Sequence, residues 1–328
     1  MNGRRMPAAS PTSLLARLRD RLPERYLLER LVGQGASASV FLATDQHLNR
    51  RVAIKVLDPE LASGVTAERF LREIRFMAAL QHPNIVPLLD GGQVDELLYA
   101  VMPYIDGATL RESLLDGPME IAEAARIIAT MAEALDYAHR VPLVHRDIKP
   151  ENILVSQGKP LLADFGVARA IGLAGDGLTA AGSIIGTLIY MSPEQATASS
   201  KVDGRSDIYS LGCVLYELLT GRPPFIGPDM GTIFQLKWSG TAPPIRALRP
   251  EVPLEIVACA ERMMAVDPQH RYQQAGEVAA ILGPAADRAR SAAAAPPRSE
   301  TRTSNRALLI AAGLALAALL LTMLGIWW

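Results

Sequence analysis

Eight residues constrain this chain more than any others: His145-Arg146-Asp147-Ile148-Lys149-Pro150-Glu151-Asn152, set between the apolar runs Leu143-Val144 and Ile153-Leu154-Val155. A carboxylate, an ammonium and an amide share one short loop between segments that want to be buried. A polar surface loop would not need apolar flanks of this kind. A hydroxyl nucleophile needs a positioned proton acceptor, and phosphate oxygens need cationic and metal partners. The loop carries one of each.

The rest of the chain divides around it. Tyr26 to Leu57 reads as short antiparallel strands, with Val40-Phe41-Leu42-Ala43 and Val52-Ala53-Ile54-Lys55-Val56-Leu57 on either side of a polar turn. Phe70, Ile74 and Met77 fall on one face of a helix predicted over 67–80. His82-Pro83-Asn84 ends it, and strand-like runs follow at 85–89 and 97–102. Beyond Pro103 the pattern turns helical, over 121–139, 207–220, 254–265 and 273–282. The chain therefore reads as an α+β, two-lobed architecture with a hinge at 103–107. No internal repeat is present.

Three further motifs surround the loop. Gly33-Gln34-Gly35-Ala36-Ser37-Ala38-Ser39-Val40 lies between two strand candidates, and its glycines let backbone approach phosphate without a Cβ clash. Taken alone, such a turn is more often a hairpin. Lys55 sits inside an apolar strand, where an ammonium must snorkel or meet an anion. Glu73 on the next helix is the candidate partner. Asp164-Phe165-Gly166 follows the strand-like Leu161-Leu162-Ala163, and one carboxylate at a strand end suits Mg²⁺, which takes few protein ligands.

In this order and spacing the four motifs resemble the protein-kinase signature set, and the chain is similar over about residues 26–283 to bacterial eukaryotic-like (Hanks-type) Ser/Thr protein kinases. The resemblance implies a bilobal fold: an N-lobe antiparallel sheet plus one helix (26–102) and a mainly helical C-lobe (108–283). It implies ATP and Mg²⁺, with Mn²⁺ as an alternative, and protein substrates. Lys55 would hold the α- and β-phosphates and pair with Glu73, Asp147 would take or orient the substrate hydroxyl, and Lys149 would steady the γ-phosphate. Asn152 and Asp164 would hold the metal. Val40 and Ala53 would cover adenine, Met102 would be the gatekeeper, the backbone at Pro103–Tyr104 would meet the base edge, and Asp106 would reach the ribose. Met191-Ser192-Pro193-Glu194 looks like the family's A-P-E element, with Arg271 as the partner of Glu194, and Asp207 to Gly212 looks like its central helix. Arg146 before Asp147 implies control by a phosphorylated loop. Thr179 is the favoured phosphosite, then Ser183, while Thr187 is assigned to substrate orientation. Three departures are noted: Ala38 for the third glycine, Ser192 for alanine, and Pro103, which removes a hinge donor.

Two other functions compete with this reading. A pseudokinase would lack an equivalent of Lys55, Asp147, Asn152 or Asp164, and all four are present. A small-molecule kinase is opposed, by analogy, by the long segment from Asp164 to Glu194 with its candidate phosphosites.

The ends carry targeting information. No residue from Ala307 to Trp328 is charged. About 22 residues at ~1.5 Å each are enough to cross a ~30 Å hydrocarbon core. Arg298, Arg302 and Arg306 precede the run, which places the catalytic part in the cytoplasm at a bacterial plasma membrane. Residues 284–306, rich in Ala, Pro, Ser and Arg, read as a flexible linker. With nothing after Trp328, no outer sensor domain is expected, and any outside signal is expected through a partner. Ala307, Ala311 and Ala315 suit helix pairing, and a homodimer would phosphorylate in trans, though this spacing arises easily in an Ala-rich run. Residues 1–25 form a basic leader; Leu14, Leu15, Leu18 and Leu22 make an apolar face, read as packing on the next domain in preference to anionic lipid. With 33 basic and 34 acidic residues the chain gives no charge-based case for nucleic acid. Cys213 and Cys259 read as buried, inert thiols.

Overall fold

The computed structural model describes residues 18–19, 21–35, 38–57, 67–95, 97–141, 143–165, 188–197 and 202–294. Five antiparallel strands open the chain: β1 (Tyr26–Gln34), β2 (Ala38–Asp45), β3 (Arg50–Leu57), β4 (Asp90–Val94) and β5 (Leu97–Pro103). They form one sheet in the order β1-β2-β3-β5-β4. Helix α1 (Ala67–Ala78) interrupts them and buries Phe70, Ile74 and Met77. Phe41, Val52, Ile54, Val56, Tyr99 and Val101 form a core on one face of this sheet, and Leu18 and Leu22 of the leader belong to it. Arg25 adds a two-bond ion pair to the buried Asp45, at 2.9 and 2.8 Å. Leu18, Leu22 and Arg25 thus hold the end of the leader to the strands that follow.

The C-terminal half is helical around a small second sheet of β6 (Ala108–Thr109), β7 (Ile153–Ser156) and β8 (Lys159–Leu162). Its helices are α2 (Leu110–Ser113), α3 (Ile121–His139), α4 (Pro193–Ala196), α5 (Gly204–Thr220), α6 (Met230–Ser239), α7 (Ile245–Leu248), α8 (Leu254–Met263) and α9 (Ala275–Ala294). Helix α5 is buried on every side from Ser206 to Leu219, so it forms the axis of this lobe. The Asp203 carboxylate caps its first turn, and Gly221 ends it at φ 76°, a conformation that favours glycine.

Several sequence expectations need correction. Residues 85–89 are not a strand. Ile85 makes only an isolated parallel bridge to Leu162, and Val86 N donates to Leu162 O at 2.9 Å. Pro87 has no N–H with which to extend a ladder, and the segment instead ties the front sheet to β8. Helix α5 starts at Gly204, ahead of the expected 207, and α6 was not anticipated. The linker expected from 284 is helical as far as Ala294, with Pro284 inside α9. Alanine is the best helix former, and Ala285 and Ala286 are buried, so small side chains serve as core there. Residues 307–328 lie outside the described residues; among those described, no helix is long and apolar enough to cross a membrane.

Candidate active site

Strand register builds one wall of the site. Val40 pairs with Lys55 and Leu42 with Ala53, while Ala53 pairs with Met102 and Lys55 with Ala100. Directly paired residues share a face. Val40, Ala53, Lys55 and Met102 therefore line the face opposite the Leu18–Leu22 core. Gly33 pairs with Val40 and Gln34 with Ser39, and Gly35 N donates to Ala38 O at 2.9 Å, which closes the glycine turn. Ala36 and Ser37 at its tip lie outside the described residues. Below β5, Tyr104 N donates to Arg51 O at 3.3 Å, and Asp106 is exposed.

The β7–β8 hairpin sets the opposite wall. Ile153 pairs with Leu162, and Ala163 N donates to Asn152 O at 2.9 Å. This places Asn152 and Asp164 at the same end of the hairpin. Asn152 Nδ2 donates to the main-chain oxygen of Asp147 at 2.7 Å and to its Oδ2 at 3.0 Å. Lys149 Nζ donates to the same Oδ2 at 2.8 Å. Asp147 is held between a lysine and an amide, its side chain 21% exposed and so within reach of a substrate.

Lys55 Nζ meets Asp164 Oδ1 at 2.8 Å. The expected Lys55–Glu73 pair is therefore corrected: Glu73 is buried on α1, and the lysine bonds to the aspartate. Asp164 is held in place by its surroundings. Its neighbour Ala163 is bonded on both sides, to Asn152 and, through its carbonyl, to His145 Nε2 at 2.9 Å. Burial pushes the Asp164 carboxyl up, but Lys55 more than offsets this and holds it below the usual carboxylate range. It stays ionised at neutral pH.

Two loop residues adopt left-handed backbone, Arg146 at φ 68° and Asp164 at φ 64°. Such conformations cost energy and persist where surroundings enforce them. At Arg146 the enforcement comes from Asp207, which is fully buried on α5. Its carboxylate accepts from His145 N, Arg146 N and His139 Nε2, each at 2.8 Å. Burial raises the Asp207 carboxyl, yet His139 and these backbone donors hold it below its ordinary value. Sequence reading placed Asp207 on the central helix but gave it no role; the available signal was an aspartate just ahead of a largely apolar helical run.

Glu194 and Arg271 meet as expected, at 2.7 and 2.9 Å, and Gln195 Nε2 links α4 back to Arg146 O at 3.0 Å. Beside them runs a network that sequence reading missed. Arg111 bonds Glu151 at 2.8 Å, Glu217 at 2.7 Å and the Tyr190 hydroxyl. Thr179, Ser183 and Thr187 lie outside the described residues.

Residues 26–280 match the family model described as protein kinase domain. This chain belongs to the protein kinase family. Its kinase domain is 43% identical over 269 residues to "Serine/threonine-protein kinase PknB" of Mycolicibacterium smegmatis, covering 80% of this chain and 43% of that protein. It is 42% identical over 267 residues to "Probable serine/threonine-protein kinase SCO3848" of Streptomyces coelicolor, covering 79% and 39%. The chain thus spans about two fifths of the length of these curated relatives. Among solved structures, it resembles a crystal structure of Rad53 in complex with AMP-PNP, with a TM-score of 0.66 and 25% identity, covering 78% of this chain and 64% of that one. The fold is the bilobal protein-kinase fold, of the Hanks type found in these bacterial relatives.

Proposed function

We propose that this chain is an ATP-dependent protein Ser/Thr kinase, tethered to the cytoplasmic face of a membrane. The observation that carries the reading is the Asp147 carboxylate, bonded by Lys149 and Asn152 beside the Lys55–Asp164 pair. Asp147 accepts or orients the hydroxyl proton of the acceptor. Lys149, on the same loop, steadies the transferring phosphate, and Lys55 holds the α- and β-phosphates. The Val40, Ala53 and Met102 face takes the adenine.

The donor set fits a hard divalent cation. Asp164 is ionised, and Asn152 commits its nitrogen to Asp147, leaving its amide oxygen as the ligand atom. Mg²⁺ needs few protein oxygens when phosphates supply the rest. Asn152 and Asp164 would hold it, and bound Mg²⁺–ATP supplies the phosphoryl group and charge neutralisation. The names of the bacterial relatives support Ser and Thr as acceptors. Thr179, then Ser183, are the proposed sites of self-phosphorylation.

Incubating the chain with γ-labelled ATP and Mg²⁺ should label the chain itself or a generic protein acceptor, and excess EDTA should abolish the label. Labelling that is indifferent to EDTA would remove Asn152 and Asp164 as metal ligands. For the tether, the uncharged run 307–328 behind three arginines is the support. The full chain should pellet with membranes, and a fragment ending at Ala294, which keeps all of α9, should not. Pelleting of that fragment would move the anchor to the basic leader.

A further inference from the structure

Lys237, in the last turn of α6, is 1% exposed. Its Nζ donates to Ile189 O at 2.7 Å and to Met191 O at 2.9 Å. The ammonium lies 5.1 Å from the ring centroids of both Tyr209 and Phe225. Among the described residues, no carboxylate is within ion-pairing distance of it. Burial accordingly pulls its pKa below the ordinary lysine value. A methionine would fill the same space without desolvating a charge. The lysine's specific contribution is therefore its grip on two main-chain oxygens.

Those oxygens belong to a segment that is held from other sides too. The Tyr190 hydroxyl, between them, bonds Arg111 and Glu217, and Arg111 reaches Glu151 in the catalytic loop. Three residues beyond Ser192, Gln195 bonds the Arg146 carbonyl, next to Asp147. Leu188, Tyr190 and Ser192 are buried, while Ile189 and Met191 are half-exposed. Side-chain anchors thus fix Tyr190, and Lys237 fixes the backbone on either side of it. What remains outward is a short shelf beside the catalytic loop.

We propose that Lys237 is a positioning residue for the protein acceptor, fixing the main chain of residues 189–191 as the shelf on which the acceptor lies. The inference rests on the phosphotransfer reading above. Two charge-assisted bonds are at stake, enough to move acceptor affinity by about tenfold. In the full chain, Lys237→Met should raise KM for myelin basic protein about tenfold and KM for ATP less than about twofold. Amide exchange at residues 188–192 should quicken selectively. Lys237→Gln, which keeps a neutral donor, should fall between wild type and methionine, and it carries the test should the methionine variant not fold. Equal changes in both KM values, an unchanged acceptor KM, or unfolding of both variants would overturn the proposal, leaving Lys237 as a core residue only. A wild-type chain that labels no acceptor would instead sink the kinase reading, and the positioning role with it.

Discussion

Asp147→Asn is expected to slow phosphotransfer by roughly 10²–10⁴-fold while ATP binding persists. The substitution keeps shape and removes the one function that matters, the ability to accept a proton. Its structural cost is small for a reason visible in the loop. The shorter of the two bonds from Asn152 goes to the Asp147 main-chain oxygen at 2.7 Å, which the substitution does not touch. The loop is also held from behind, by Asp207 on the His145 and Arg146 amides and by Gln195 on the Arg146 carbonyl. Lys149 remains for its proposed contact with phosphate, and the proposed nucleotide wall lies apart from this loop, on β2, β3 and β5, at Val40, Ala53, Lys55 and Met102. Single-turnover transfer and an equilibrium nucleotide titration on the same sample separate the two effects. Near-normal transfer would remove Asp147 from the role of base. Parallel loss of nucleotide binding would show that the loop had come apart.

Much of this site was legible in the sequence because its four motifs resemble the kinase signature set. The register in the structure accounts for the arrangement: Val40, Ala53 and Lys55 share one face of the sheet, and the hairpin between Ile153 and Leu162 sets Asn152 and Asp164 at one end. Periodicity does not say which partner a buried charge will choose. The sequence pairs Lys55 with Glu73, whereas in the structure Asp164 holds it, next to the doubly bonded Ala163. Lys237 was invisible for a related reason. Its partners are carbonyl oxygens, which every residue has, so no side-chain pattern announces them. The helical stretch after residue 284 was missed because alanine gives no hydrophobic period, although Ala285 and Ala286 are core. Asp207 was seen, but the donors to its carboxylate are backbone amides 62 and 61 residues away along the chain.

Arg271→Met should cost about 3–5 kcal/mol of stability, the scale for breaking a buried ion pair by removing one partner. Arg271 is 0% exposed, and all five of its N–H donors are used. Nε goes to Ala265 O at 2.7 Å, one terminal nitrogen to Glu194 and Arg205 O at 2.7 and 3.0 Å, and the other to Glu194 and Val266 O, both at 2.9 Å. The guanidinium also lies 4.8 Å from the Tyr209 ring centroid. One side chain therefore joins α4, the start of α5 and the turn after α8. Lysine lacks this fork and should recover only part of the loss. For a domain of this size the melting temperature should fall on the order of 10 °C.

The pH dependence separates the ion pair from mere packing. Burial raises the Glu194 carboxyl, but bonds from Arg271 and Ser206 more than offset it, leaving it below the usual glutamate value. A depressed folded-state pKa contributes stability above the unfolded value and loses it as pH falls through the folded one. In the methionine variant burial dominates, the folded-state pKa rises, and protonation relieves the stranded charge. The stability gap between wild type and Arg271→Met should therefore narrow between pH 7 and about pH 4. Urea unfolding of both proteins at the two pH values measures it. A gap of equal size at both would assign the loss to the vacated volume and the stranded carbonyls, and would leave the Glu194 charge without a part in holding α4.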